Sequence, residues 1–132
     1  MEYPKFKVCC RCFTFNQAKY ITDAMNGFTM QQTSFPFVCT IVDDASTDGE
    51  PEVIRKYVEE NFDFSEGSVA FHEETDYAHI TYAQHKTNNN CYFAVLYLKE
   101  ITTLKASPRW DILASGETCA SMRPSAREMI GG

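Results

Sequence analysis

The chain has 132 residues, enough for one domain at most, and its 44% hydrophobic and 23% charged residues are the balance of a folded globular protein. A formal charge of -6 with no Lys/Arg cluster argues against a nucleic-acid backbone as the main partner. No apolar run approaches the roughly 20 residues that span a bilayer, and Met1-Glu2-Tyr3-Pro4-Lys5 lacks the apolar core of a secretory leader, so the sequence predicts a cytoplasmic protein without a transmembrane segment.

In chain order, Phe6 to Cys12 is a short apolar run, too short for a helix and bounded by Pro4 and Asn16, and reads as a buried strand. Gln17 to about Met30 follows, with Tyr20, Ile21, Ala24, Met25 and Phe28 at helical spacing and Asn16 placed to cap the first turn. Phe37 to Val42 reads as a second strand. Asp48-Gly49-Glu50-Pro51 opens a second helix, with Pro51 in the first turn, where a missing N–H costs nothing, and an apolar stripe of Val53, Ile54, Tyr57, Val58 and Phe62. Ser68 to His72 is a third short strand, Glu73 to Lys86 is mostly loop, and Asn88, Asn89 and Asn90 can cap a third helix from Cys91 to about Lys99. The order is βαβαβα, which predicts a parallel sheet with right-handed crossovers.

Six cysteines are present, and Cys9 and Cys12 have the spacing of a metal or redox pair. No second pair or histidine follows at zinc-ligand spacing, and the pair sits within a strand instead of opening a helix, so reduced, buried thiols are expected. His72, His79 and His85 likewise lack metal-ligand spacing.

Two segments carry chemistry. Phe13-Thr14-Phe15-Asn16 closes the first strand and Asp43-Asp44-Ala45-Ser46-Thr47-Asp48-Gly49 closes the second. In a parallel α/β sheet both sit beyond the carboxyl ends of the strands, where such sheets bind ligands. Ionised carboxylates only accept hydrogen bonds, which suits Asp43 and Asp44 to a ribose hydroxyl or a base N–H. The plainer reading is that Asp43, Ser46 and Asp48 cap the turn and the helix after it, and that Phe13 and Phe15 are core. Lys86 could meet a phosphate beside a helix N-terminus, or could be a solvated loop lysine.

These words resemble the N-terminal half of an inverting, family-2-type glycosyltransferase, which has P-T-Y-N and D-D-x-S-x-D-G at the corresponding places. The resemblance covers about residues 4–100. It implies an α/β fold, the nucleotide-binding βαβαβα half of a GT-A (Rossmann-like) domain. It also implies transfer of a sugar from a nucleotide-diphospho-sugar, in particular a UDP-sugar, to a glycan or lipid-linked acceptor in bacterial polysaccharide synthesis. By the same resemblance Asp44 contacts the uracil, Phe13, Thr14, Phe15 and Asn16 line the base pocket, and Asp43 and Lys86 complete the nucleotide site. Phe15 stands where the family usually has Tyr, and Phe13 replaces a smaller residue.

Residues 101–132 depart from that pattern. All ten Phe, seven Tyr and three His lie in residues 1–100, and the tail has no clear period. The family's acidic word that holds Mg²⁺ or Mn²⁺ against the diphosphate, and its general base, are missing, so the resemblance implies that the chain holds no metal by itself and has no catalytic residue. Read one frame over, the tail permits N-H-Y directly after Lys99-Glu100, then E-W, then Tyr, then C-E-G-D-D-W-W across Ser125 to Gly132. The step from Met129 to Ile130 is forced, because ATG followed by AT gives GAT, which encodes Asp. The resemblance thus implies a nucleotide-sugar-binding domain at 1–100 and an out-of-frame, poorly ordered tail at 101–132, with one base lost near the Lys99 and Glu100 codons; the plainer reading is a genuine, divergent C-terminus. The rival readings are a receiver-like signalling module and a non-catalytic nucleotide-binding fragment. In a receiver the acid pair follows the first strand, whereas here it follows the second.

Overall fold

A computed structural model describes residues 4–100; the predicted tail at 101–132 lies outside the described residues. The elements run β1 (Val8–Thr14), α1 (Ile21–Thr29), β2 (Phe37–Asp43), α2 (Glu50–Asn61), β3 (Phe62–Asp63), β4 (Phe71–Glu74), β5 (Ala78–His85) and β6 (Cys91–Leu98). The strands form one mixed sheet in the order β1-β2-β6-β5-β3, with β4 also paired to β5. β1, β2 and β6 are mutually parallel, and β5 is antiparallel to β6, β3 and β4. The fold is α/β, as the sequence predicts, but with one reversed strand and a hairpin in place of the last crossover.

Several expectations are corrected. Cys91 to Lys99 is a strand, β6, and every residue from Cys91 to Tyr97 is buried. A short continuous apolar run serves a buried helix or a buried strand equally well by pattern. The eight-residue length and the aromatic and β-branched side chains (Tyr92, Phe93, Val95, Tyr97) favour the strand here. The asparagines before it do not cap a helix: Asn88 Nδ2 donates to the carbonyls of Thr29 and Gln31, and Asn90 Nδ2 donates to that of Thr33. They fasten the β5–β6 turn to the end of α1. Glu73 to Lys86, expected to be mostly loop, holds the end of β4 and all of β5, and the strand expected from Ser68 to His72 is β4, which begins at Phe71.

Both helices cover one face of the sheet. Ile21 and Met25 of α1 and Ile54 and Val58 of α2 pack against Cys39, Ile41, Phe93, Val95 and Tyr97. Phe62, at the end of the α2 stripe, is fully buried against Phe93, with ring centroids 4.4 Å apart. The opposite face carries Val38, Val42, Ile80, Tyr82, Tyr92 and Leu96, joined by Phe6, which the sequence assigns to the first strand. Cys39 and Cys91 are buried; Cys9, Cys10 and Cys12 are only partly so, and no disulfide forms among the described cysteines. Burial pushes the Cys91 thiol up to about 12 and that of Cys39 higher still, so both stay protonated and act as small apolar side chains.

Candidate functional site

The strand register sets the site. Thr14 stands beside Asp43, and Asp43 beside Tyr97, so the ends of β1, β2 and β6 are level at one edge of the sheet. The loops that leave β1 and β2 are bonded to each other there. The Asp44 N–H donates to the Thr14 carbonyl at 2.9 Å. Asn16 has a left-handed backbone, φ 53°, which asparagine tolerates better than most residues. Its N–H donates to Ser46 Oγ at 2.9 Å and its Oδ1 accepts from the Thr47 N–H at 2.8 Å. Asn16 is therefore not the cap of α1; it joins the loops, and α1 begins only at Ile21, with Tyr20 at the cap position.

Glu50, which the sequence reading passes over, is fully buried beneath both loops. Its carboxylate accepts from the Thr14 hydroxyl, from the Gln17 N–H at 2.9 Å and from Ser46 Oγ at 3.0 Å. An ionised side chain tolerates burial when donors surround it in this way. In sequence Glu50 is one more acid in the first turn of a helix, and no signal separates it from Glu52. Asp48 has a capping role, with Oδ1 accepting from the Glu50 N–H at 3.1 Å, and its Oδ2 also accepts from the Ala18 N–H at 3.0 Å.

Asp43 is 1% exposed. One carboxylate oxygen accepts from the Ser46 N–H at 3.3 Å, whereas Oδ1 has no hydrogen-bond partner. Burial holds its carboxyl above the usual range; the Ser46 bonds pull the other way, and Glu50 and Asp48 add to the rise. Asp44 is 5% exposed. Phe13 and Phe15 are 51% and 39% exposed, so neither ring is core. Six of the seven predicted site residues, Phe13, Thr14, Phe15, Asn16, Asp43 and Asp44, gather at this edge. Lys86 does not. It follows β5, which runs against β6, so it sits at the other end of the sheet, where its N–H donates to the Asn61 carbonyl and its Nζ to that of Glu60.

The edge is acidic, with Asp43, Asp44, Asp48 and Glu50 close together. Such a surface accepts hydrogen bonds from sugar hydroxyls and base N–H groups and repels phosphates that approach it directly. Among the described residues no group of three or more His, Cys, Asp or Glu is placed to hold a metal ion, and no helix is long and apolar enough to cross a membrane.

No protein-family profile and no solved structure matches the chain. Uncharacterized proteins of Mycobacterium bovis and of two strains of Mycobacterium tuberculosis are 48% identical to it over 44 residues. That segment is 33% of this chain and 13% of each relative's length.

Proposed function

We propose that residues 4–100 are the nucleotide-binding part of a family-2-type glycosyltransferase, which moves a sugar from a UDP-sugar to a glycan or lipid-linked acceptor in bacterial polysaccharide synthesis. One observation carries the reading. Two polar loops that end neighbouring parallel strands meet at one edge of the sheet and are held as a unit by Glu50 and by the Asn16, Ser46 and Thr47 bonds. In this reading the Asp44 carboxylate accepts from the N–H of the uracil. The Phe13 or Phe15 ring lies against the base face, and Asp43, short of one partner, accepts from a ribose hydroxyl.

The acids serve the nucleoside end. A metal-binding acidic word and a general base belong, in the same reading, to the in-frame continuation after Glu100. The 132-residue chain then binds nucleotide and does not transfer sugar. Calorimetric titration with UDP tests the proposal: weak binding that Asp44→Ala lowers supports it. A well-folded chain that ignores UDP and instead responds to Mg²⁺ with acetyl phosphate would favour the receiver-like module.

A further inference from the structure

On the helix-covered side of the sheet, next to Tyr97, α2 and the β4–β5 hairpin leave a cavity of about 230 Å³. That is below the roughly 300 Å³ at which drug-sized ligand sites begin, and suits a small ion. Three elements send basic groups to its wall: Arg55 from α2, His72 from β4 and His79 from β5. The Arg55 guanidinium lies over the Tyr97 ring, 5.1 Å from its centroid. Among the described residues it makes no ion pair, so no carboxylate there takes up its planar fork of N–H donors.

The imidazoles are fixed as well. Their rings stack with centroids 5.7 Å apart. His72 Nδ1 bonds Thr81 Oγ1 at 2.9 Å. His79 Nδ1 bonds Glu74 Oε1, and since a carboxylate only accepts, Nδ1 carries the proton. Among the described residues no hydrogen bond uses Nε2 of either ring. The acids nearby are unequal: Glu74 is already engaged by His79 and by Lys99 Nζ at 2.9 Å, whereas Glu59 lines the cavity with no ion-pair partner among the described residues.

We propose that this cavity is an oxyanion site, in which Arg55, His72 and His79 hold a phosphate- or sulfate-sized group. The anion is either free or the phosphate end of a nucleotide, since Tyr97 in the cavity wall is the register neighbour of Asp43 at the loop site. Neutral imidazole presents one N–H, already spent on Glu74 in His79. Protonated imidazole presents a second, so anion binding draws in a proton. Around the histidines stand Arg55 and Glu59 from α2, Glu74 from β4, Tyr97 from β6 and Lys99 after it, with Asp43 behind Tyr97.

Sulfate is the probe for the pH dependence, because it stays dianionic from pH 8 to 6 and any gain belongs to the protein. Titration of the full chain, followed by the histidine ring signals in NMR, should show tighter sulfate binding at pH 6 than at pH 8. Arg55→Ala should weaken it about tenfold to a hundredfold, the usual effect of a lost charge-assisted hydrogen bond. Glu59→Gln should strengthen it, a gain that misfolding does not produce. Inorganic phosphate and UDP at fixed pH separate the sources. If Arg55→Ala and Asp44→Ala both weaken UDP, the anion is the nucleotide's. If Arg55→Ala weakens phosphate alone, it is free phosphate. Phosphate binding without UDP binding keeps the anion site and removes the nucleotide reading. No sulfate or phosphate binding at pH 6, or binding indifferent to Arg55→Ala and Glu59→Gln, overturns the proposal.

Discussion

The Thr14 hydroxyl donates to the carboxylate of Glu50, 36 residues away in sequence, and this buried bond fixes the end of β1 to the start of α2. The same carboxylate holds Gln17 and Ser46, so three donors from two loops depend on one acid. Removing it leaves buried donors without an acceptor. Glu50→Ala should therefore cost about 2–4 kcal/mol, more than a surface acid. Glu50→Gln keeps the shape and one acceptor and should cost less. Urea denaturation of the two variants measures the difference, and equal, small losses would mean that Glu50 does not hold the loops.

Asp48 and Asp44 should separate stability from binding. Asp48 accepts from the Glu50 N–H and the Ala18 N–H, so Asp48→Ala should destabilise by about 1 kcal/mol and leave UDP affinity near that of the parent. Asp44→Ala should lower UDP affinity about tenfold to a hundredfold, the effect of one charge-assisted hydrogen bond. The reverse pattern would place the nucleotide elsewhere on the sheet.

How far the sequence could be read follows from where each pattern has a single solution. The alternation of helix and strand through Asn61 was legible because helical spacing at Ile21, Met25, Ile54 and Val58 and turn chemistry at Gly49-Glu50-Pro51 point the same way. β5 carried a signal in plain view: Ala78, Ile80 and Tyr82 are buried on one face and alternate with His79 and Thr81 on the other. The acids and turn formers just before it, Glu73 to Asp76, hid that period. β6 had no period to offer, since both of its faces are buried. Of the site, the loops at Thr14 and Asp43 followed from strand ends alone. Glu50, and the approach of Arg55 to His72 and His79, depend on long-range packing that residue spacing does not encode.

Asp43 makes the stability pH-dependent. Burial raises its folded-state carboxyl above the ordinary 3.8, so between that value and the raised one the folded protein holds a proton that the unfolded chain has released. The stability that Asp43 contributes is complete below about 3.8 and is lost as pH rises through the folded value. Asp43→Asn removes this titration, and its melting temperature should fall less than the parent's as pH rises from 4 to neutrality. Parallel curves for the two proteins would mean that Asp43 is not held protonated by burial.

The left-handed backbone at Ala45, φ 55°, is a strained position for a residue with a β-carbon. Ala45→Gly relieves a clash of about 1–2 kcal/mol, offset by about 0.5–1 kcal/mol of extra freedom in the unfolded chain. A small net stabilisation should appear in denaturant titration. A clear loss of stability would show that the turn between Asp44 and Ser46 is not strained.

The last test joins the site to the reading frame. Restoring the frame after Glu100 and extending the gene adds, in the proposed reading, the acidic word E-G-D-D-W-W that this chain lacks. A divalent cation bridges a diphosphate to carboxylates, so the restored protein should bind UDP more tightly with Mn²⁺ than without it. The 132-residue chain should show little metal dependence, because in the proposed reading Asp43 and Asp44 address the nucleoside. Sequencing the gene from independent isolates checks the premise directly: an intact frame that encodes the same tail throughout would refute the lost base. Should the 132-residue chain transfer sugar as fast as the restored protein, both the missing acids and the division of labour at the sheet edge would have to be given up.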